Sequence, residues 1–299
     1  MIVCNDKKYI KEVKAIVQLL DDPDPEIFGL IRAKLLSLGK PVVPALEEVW
    51  ERSIDSMLQE RIEDIIHQIH FSVVKNQLID WKTNDEENLL EGAVIIARYQ
   101  YPDLEVSKIN KYLEKIYKDV ALEIEMVDSP VEKIRVINHA MFDIHRFLGN
   151  RQNYHAPTNN YINHVLESKK GNHLLLSVVY MLIARHFNLP VYGVNLPENF
   201  IMCYVEKDDF DLLSTQRPKV KFYLNTFAKG AIFSEREVDQ FLNQLKRAKK
   251  PEYYVPCSNT TILLRMVTNL IFAYQKIGMK NKVHELIDLR SILDPEQKE

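Results

Sequence analysis

Residues 171–190 have the sequence GNHLLLSVVYMLIARHFNLP, and residues 191–207 continue directly as VYGVNLPENFIMCYVEK. The first stretch predicts a helix that opens after Gly171, with the apolar side chains that are typical of a core helix. The second stretch and VKFYLNTF at 220–227 are β-rich and bounded by turn residues, so each predicts a strand. A helix followed by two strands predicts an α+β core for this part of the chain.

The chain before this core has the pattern of amphipathic helices. From Ile10 to about Trp81, apolar residues recur at three- and four-residue spacing. DDPDPE at 21–26 supplies aspartate caps and prolines between helices, and LGKPVVPALEEVW at 38–50 does the same after Gly39. This order resembles one HEAT-type helical hairpin. An ordinary helical hairpin in a bundle is an equal alternative, because a solenoid needs about three repeats to bury a continuous core.

Further helices are predicted on both sides of the core. Two helical segments at 87–124 and 129–149 precede a polar loop at 149–170, which is interpreted as a solvated connector in preference to the lining of a site. Two more helices at 260–295 are joined by a Gly-Met-Lys-Asn turn and resemble a tetratricopeptide-like hairpin. The predicted fold class is therefore α+β and predominantly helical.

This pattern predicts three parts. They are a helical domain at 1–150, a core with a small antiparallel sheet at 151–250, and a C-terminal helical hairpin at 251–299. The length of 299 residues is consistent with two or three hydrophobic cores. Apolar residues make up 46% and charged residues 27%, which is typical of globular proteins. The net charge of −3 provides no basic field, so nonspecific nucleic-acid binding is not expected.

The sequence predicts a cytoplasmic protein without a metal or cofactor. No window reaches the roughly 18 apolar residues of a membrane span, and the N-terminus lacks the pattern of a secretory signal. The three cysteines, Cys4, Cys203 and Cys257, are widely spaced and predict reduced thiols. Four histidines within 32 residues lack the spacing of metal ligands. They are His155, His164, His173 and His186.

Three segments together carry a family resemblance: residues 159–204, FYLNTFAKGAIFSEREV at 222–238 and LLRMVTNLIFAYQKIGM at 263–279. They resemble the bacterial SirB-type family of transglutaminase-like proteins with a tetratricopeptide-like tail. The resemblance runs from about residue 159 to the C-terminus, and residues 21–149 resemble the helical N-terminal region of that family through weaker motifs. It implies a transglutaminase-like, papain-like core.

The resemblance also implies where a catalytic triad would lie. In transglutaminase-like enzymes the nucleophilic cysteine follows a glycine by two residues at a helix start, where the helix dipole favours the thiolate. That position here is His173, while Asn199 and Asn225 stand where the family has its histidine and aspartate. An amide cannot accept and return a proton near neutral pH, so no catalytic residue is expected. The three positions are expected to converge in a polar cluster.

Two other residues are candidates for a substitute site. Ser177 lies one helical turn after His173, so the two side chains could form a hydrogen-bonded dyad. The favoured interpretation is instead a buried hydroxyl that bonds to its own helix backbone. Cys203 shares the strand parity of Asn199, but four strand steps of about 3.3 Å place it roughly 13 Å away along the sheet. A packed core thiol is therefore favoured.

These observations predict a catalytically inactive transglutaminase-like protein that acts as a binding or scaffold module with a protein or peptide partner. The alternative is a transglutaminase-type amide hydrolase or acyl transferase with a non-standard site. In the C-terminal hairpin, Arg265 and Asn269 are the predicted ligand-binding residues, with Tyr274 and Lys276 nearby, because their mixture of groups suits an extended backbone or a carboxylate. The other interpretation of the hairpin is that it only packs on the core.

Overall fold

The structure is a computed structural model that describes residue 13 and residues 15–206 and 218–295. The predictions for Cys4 and for the helical pattern at Ile10 lie outside these described residues. The chain forms two compact units, Met1–Gln77 and Leu78–Glu299. The three-part division stays a prediction, and its boundaries at residues 150 and 250 both fall inside the second unit.

The first unit contains the helices that the Asp-Pro and Gly-Lys-Pro patterns predict. Helix α1 (Pro25–Leu38) starts after Asp24, whose side chain accepts a hydrogen bond from the Glu26 N–H at 2.8 Å. Gly39 ends this helix with φ of 68°, and α2 (Val43–Arg52) follows after a 3₁₀ turn. The long helix α3 (Ser56–Asn84) comes next, and the boundary between the two units falls within it, after Gln77. The HEAT-type assignment stays a prediction.

The second unit is mostly helical and ends in two long helices. Its helices are α4 (Leu89–Arg98), α5 (Val106–Ile124), α6 (Pro130–Asn138), α7 (Ile162–Ser168), α8 (His173–His186), α9 (Glu235–Gln244), α10 (Asn259–Lys276) and α11 (Lys280–Leu293).

The described residues of this unit also form two small sheets. Their strands are β1 (Leu148–Gly149), β2 (Lys170–Gly171), β3 (Val191–Val194), β4 (Ile201–Val205), β5 (Val220–Asn225) and β6 (Ala231–Phe233). Strands β1 and β2 form a parallel pair, and the other four form an antiparallel sheet in the order β3-β4-β5-β6. The predicted fold class, predominantly helical α+β with a small antiparallel sheet, is confirmed.

The single strand predicted at the start of the sheet is in fact two strands joined by a turn. Strands β3 and β4 pair so that Val194 lies opposite Ile201. The turn between them contains Pro197, which cannot donate a ladder hydrogen bond, and Glu198, whose φ is +59°. Asn199 therefore lies in a turn and not on a strand. Cys203 lies on β4 and Asn199 just before it, so the strand-step distance predicted between them stays a prediction.

Helix α8 is the central element of the second unit. Every residue from His173 to Ala184 is buried, as expected for a helix that is apolar on all sides. The Asn172 side chain caps it by accepting a hydrogen bond from the Leu175 N–H at 2.8 Å. The helix packs against β3, β4 and the neighbouring helices of the unit, so its first residue is held in a fixed position.

The C-terminal hairpin packs closely on the rest of the second unit. A Cβ atom at Gly92 in α4 would lie 2.8 Å from Leu263 in α10 and 2.9 Å from Trp81 in α3. Only a glycine permits so close an approach. Packing on the core, one of the two roles predicted for the hairpin, is thus observed, and its tetratricopeptide-like character stays a prediction.

A buried polar network also ties the hairpin to the unit. The hydroxyl groups of Tyr161 and Tyr274 are 3.0 Å apart, and Tyr274 donates to the Gln100 side chain at 3.0 Å. Lys282 in α11 donates to the same Gln100 oxygen and lies over the rings of Tyr99 and Tyr274. Residues from three separate parts of the sequence thus satisfy one another's polar groups.

Among the described residues, no helix combines the length and the apolar character that a membrane span needs.

Candidate functional site

A cavity of about 400 Å³ opens at the first turn of α8. It combines the start of this helix with the polar loop that precedes α7, the β3–β4 turn and one face of α10. Its lining residues are Tyr154, His155, Asn160, Asn172, His173, Glu198, Arg265, Asn269, Phe272 and Ala273. Three residues singled out in the sequence, His173, Arg265 and Asn269, therefore lie together. Asn199, Asn225 and Ser177 are not among the lining residues.

His173 occupies the first position of α8 and is buried, with only 7% of its surface exposed. Its ring lies 5.9 Å from the Tyr154 ring and 6.4 Å from the Phe227 ring. Burial and then the positive charge of Arg265 lower the pKa of His173 to about 4, against a hydrogen bond with the Glu198 backbone. Its Nδ1 atom is buried without a hydrogen-bond partner in the described part of the chain. At neutral pH His173 is an uncharged imidazole with one unused nitrogen.

The side chains of His173, Asn199 and Asn225 were predicted to form a polar cluster. Among the described residues, no hydrogen bond links any two of these three side chains. The Asn199 side chain accepts from the N–H of Phe200 at 2.8 Å. The Asn225 side chain accepts from the N–H of Phe227 at 2.9 Å and so caps the 3₁₀ turn Thr226–Ala228. Both amides are used to fix turns. The sequence positions could not reveal this, because it depends on the local backbone.

Ser177 is held below His173 and does not bond to its ring. The Ser177 hydroxyl donates to the backbone carbonyl of His173 at 2.8 Å, and Thr226 donates to the same carbonyl at 3.2 Å. The two hydroxyl oxygens lie 3.0 Å apart. The favoured interpretation of Ser177 as a buried hydroxyl on its own helix backbone matches this geometry. Its contacts fix the start of α8 against the end of β5.

Replacing Ser177 tests whether its role is structural. We expect Ser177→Ala to lower the free energy of unfolding by about 1 to 2 kcal/mol, because the buried carbonyl of His173 loses one of its two hydroxyl donors. Ser291→Ala is a matched control, since Ser291 also donates to a helix carbonyl, that of Asp288 at 2.7 Å, at an exposed site. Its effect should stay within about 0.5 kcal/mol. Equal losses in urea unfolding would contradict a role for the buried contact.

Arg265 lies on α10 and brings an unpaired positive charge to the cavity. Its Nη1 donates weakly to Asn195 Oδ1 and the Leu196 carbonyl, both at 3.4 Å. No carboxylate of a described residue lies within 4.0 Å of it. Burial lowers the pKa of Arg265, while Tyr154 and Glu198 raise it. The guanidinium stays charged nonetheless, because arginine is not deprotonated in proteins.

The other polar groups of the cavity are Asn269, which the sequence singled out, and several residues that it did not. Asn269, one turn after Arg265, makes no hydrogen bond to another described residue, so its amide is free for a ligand. Asn172 donates to Asn160 at 2.7 Å, and both are buried. Tyr154 and Asn160 both lie in the polar loop that was interpreted as a connector. The abundance of asparagine in that loop is the sequence signal that could have identified them as lining residues.

The chain is similar to one protein family and to several known proteins. Residues 107–268, more than half of it, match the family described as "Transglutaminase-like superfamily". The chain is 27% identical over 222 residues to a UPF0162 protein of Xylella fastidiosa (strain Temecula1), covering 73% of this chain and 76% of the relative. A Vibrio cholerae UPF0162 protein is 26% identical over 191 residues, covering 62% and 66%.

A eukaryotic protein is also similar. The chain is 25% identical over 248 residues to mouse F-box only protein 21, and the match covers 72% of this chain but only 37% of that protein. No solved structure matches the chain.

Proposed function

The chain belongs to the transglutaminase-like superfamily, and we propose that in this member the site at the start of α8 binds a ligand without transforming it. One observation carries the proposal. At the position where the resemblance places the nucleophile, a buried, uncharged His173 faces a cavity that also contains Arg265 and Asn269. The position of the family's nucleophile is occupied by His173, and the groups around it are suited to binding a ligand and not to catalysis.

Nucleophilic catalysis needs a nucleophile and a base that activates it. No cysteine, serine or threonine of the described residues lines this cavity. The hydroxyls of Ser177 and Thr226 contact His173, but both donate hydrogen bonds to its backbone carbonyl. His173 itself, with its pKa lowered to about 4, is a weak base at neutral pH. These features support a binding role over the alternative of amide hydrolysis or acyl transfer.

The two free cysteines in the described part of the chain, Cys203 and Cys257, offer no replacement nucleophile. Cys203 is buried in β4, and burial raises its pKa well above the ordinary value for a thiol. Burial raises the pKa of Cys257 to about 12. Both thiols are protonated at neutral pH, and the thiol form is the unreactive one.

We therefore propose a pseudoenzyme of the SirB type that acts in the cytoplasm as a protein- or peptide-binding module. Its Arg265 and Asn269 provide donors, and the exposed ring of Phe272 provides an apolar contact beside them. In this proposal the HEAT-like and tetratricopeptide-like hairpins are scaffold elements. The second of them carries the binding face, since Arg265 and Asn269 both lie on α10.

Turnover assays test the absence of catalysis. Purified protein incubated with glutamine-containing peptides and an amine should release no ammonia above a heat-denatured control, because no activated nucleophile is available. Thiol- and serine-directed acylating probes should not label one site stoichiometrically. Turnover that survives repurification and is abolished by Ser177→Ala would contradict the proposal and support the dyad.

A further inference from the structure

We infer that the group received by this cavity is a carboxylate, held between Arg265, Asn269 and the first turn of α8. The inference rests on the proposed binding function and specifies its ligand chemistry. The ligand belongs to the class of monoanionic carboxylic acids with an apolar or aromatic group beside the carboxylate. A small organic acid and the C-terminal end of a peptide share this chemistry.

The guanidinium of Arg265 is the first reason. Both of its hydrogen bonds use Nη1 and are long, 3.4 Å each, which leaves its other N–H groups without partners among the described residues. A partly buried guanidinium without a carboxylate partner is costly to maintain. Its planar fork of donors matches the two oxygens of a carboxylate. The missing partner is therefore an acceptor that a ligand brings.

The groups opposite Arg265 are the second reason. His173 is more than nine-tenths buried, lines the cavity and leaves Nδ1 unpartnered. It stands at the N-terminus of a 14-residue helix, whose positive end favours an anion. The free amide of Asn269 adds another donor. In the neutral imidazole the nitrogen that bonds the Glu198 backbone carries the proton, so Nδ1 is an acceptor for an N–H or O–H of the ligand. The donors come from Arg265 and Asn269 on α10, and the start of α8 adds positive partial charge.

Glu198 also lines the cavity and limits the charge of the ligand. Its side chain is 62% exposed, and its nearest cation among the described residues is Arg247 at 3.9 Å. It therefore leaves Arg265 available. The negative carboxylate of Glu198 at the rim repels negative charge on the ligand. A ligand with one negative charge is therefore favoured over a phosphate with nearly two.

The rim supplies an apolar contact next to the charged groups. Phe272 is 48% exposed, and its ring meets that of His155 edge to face at 5.4 Å. Tyr154 is a third aromatic side chain along the same cavity. A volume of about 400 Å³ lies at the lower end of small-molecule sites. It is sufficient for a carboxylate and one neighbouring aromatic group.

Defined probes test the inference by isothermal titration calorimetry. The probes are acetyl-Ala-Ala-Phe with a free C-terminus, the same peptide as its carboxamide, 3-phenylpropanoate, and inorganic phosphate. We expect both carboxylates to bind. The carboxamide should bind with an affinity lower by roughly tenfold or more, because it lacks the negative charge that pairs with Arg265. Tighter binding of the tripeptide identifies a peptide terminus as the source, and tighter binding of 3-phenylpropanoate identifies a small acid.

Matched variants locate the binding to the cavity. Arg265→Gln should weaken carboxylate binding roughly tenfold or more. Arg236→Gln makes the same charge change on the exposed face of α9 and should leave binding unchanged. If Arg265→Gln lowers the melting temperature, Asn269→Ala replaces it, since that amide makes no internal hydrogen bond among the described residues and its loss should weaken binding without unfolding.

The outcomes separate this inference from the proposed function. Equal binding of acid and carboxamide, preferential binding of phosphate, or no binding of any probe would overturn the carboxylate inference while leaving the absence of catalysis intact. Hydrolysis of the carboxamide with release of ammonia would instead overturn the proposed function. Binding that is sensitive to Arg265→Gln and insensitive to Arg236→Gln, without turnover, supports both.

Discussion

Between pH 6.5 and pH 4, the free energy of unfolding should fall by about 3 kcal/mol more in the wild-type protein than in a His173→Gln variant. The unfolded chain has a histidine pKa of about 6.5 at this position, whereas burial and the charge of Arg265 lower the folded pKa to about 4. Below pH 6.5 the unfolded state therefore binds more protons than the folded state. Stability is lost as the pH falls through this window and is fully present above it.

The measurement is urea unfolding of both proteins at several pH values from 7 to 4. Carboxylates that titrate in the same range contribute equally to both proteins and cancel in the difference. His284→Gln, on the exposed face of α11, is the control and should follow the wild-type curve. A pH dependence that is the same in wild type and His173→Gln would show that His173 is not held uncharged, and would remove the observation behind the proposed function.

Gly230→Ala should lower the free energy of unfolding by about 3 kcal/mol, because two separate costs add at this position. Its φ of +70° is strained for any residue with a Cβ atom. That Cβ would also lie 1.9 Å from Oδ1 of Asn138. Asn138 cannot move freely, since its amide donates to the Gly230 carbonyl at 2.9 Å and accepts from the buried Tyr180 hydroxyl at 2.9 Å.

Gly278→Ala isolates the backbone cost from the collision. Gly278 has φ of +74°, and a Cβ atom there would meet nothing within 4 Å. We expect this variant to lose only about 1 kcal/mol, the cost of the left-handed conformation alone. Thermal and urea unfolding of the two variants give the comparison. A loss for Gly230→Ala no larger than that for Gly278→Ala would mean that the hydrogen bonds of Asn138 do not hold it in place.

The sequence predicted those parts of the fold that depend on local pattern. The continuous apolar run of α8 predicted an interior helix, and the Asp-Pro and Gly-Lys-Pro patterns marked helix ends in the first unit. It did not predict that β3 and β4 are separate strands, because the turn depends on the positive φ of Glu198, a residue type that seldom adopts it.

The structure brings three residues that the sequence singled out to one cavity, and the sequence did not predict that arrangement. His173 was singled out by its place after Gly171, and Arg265 by the mixed face of α10. That these two residues line one cavity depends on the packing between distant parts of the chain, which no local pattern reports. The pairing of Asn160 with Asn172 was missed for the same reason, since asparagines in a polar loop usually face solvent.

The hydrogen bonds among Tyr161, Tyr274, Gln100 and Lys282 affect how this protein can change in evolution. A gene rearrangement that separated the last two helices from the sequence before them would break these bonds and expose the apolar side chains that α10 buries, such as Leu263, Met266 and Leu270. Burying one such side chain contributes about 1.5 to 3 kcal/mol, against a typical total stability of about 5 to 15 kcal/mol. The hairpin and the core are therefore expected to be gained, lost and exchanged in evolution as a single piece.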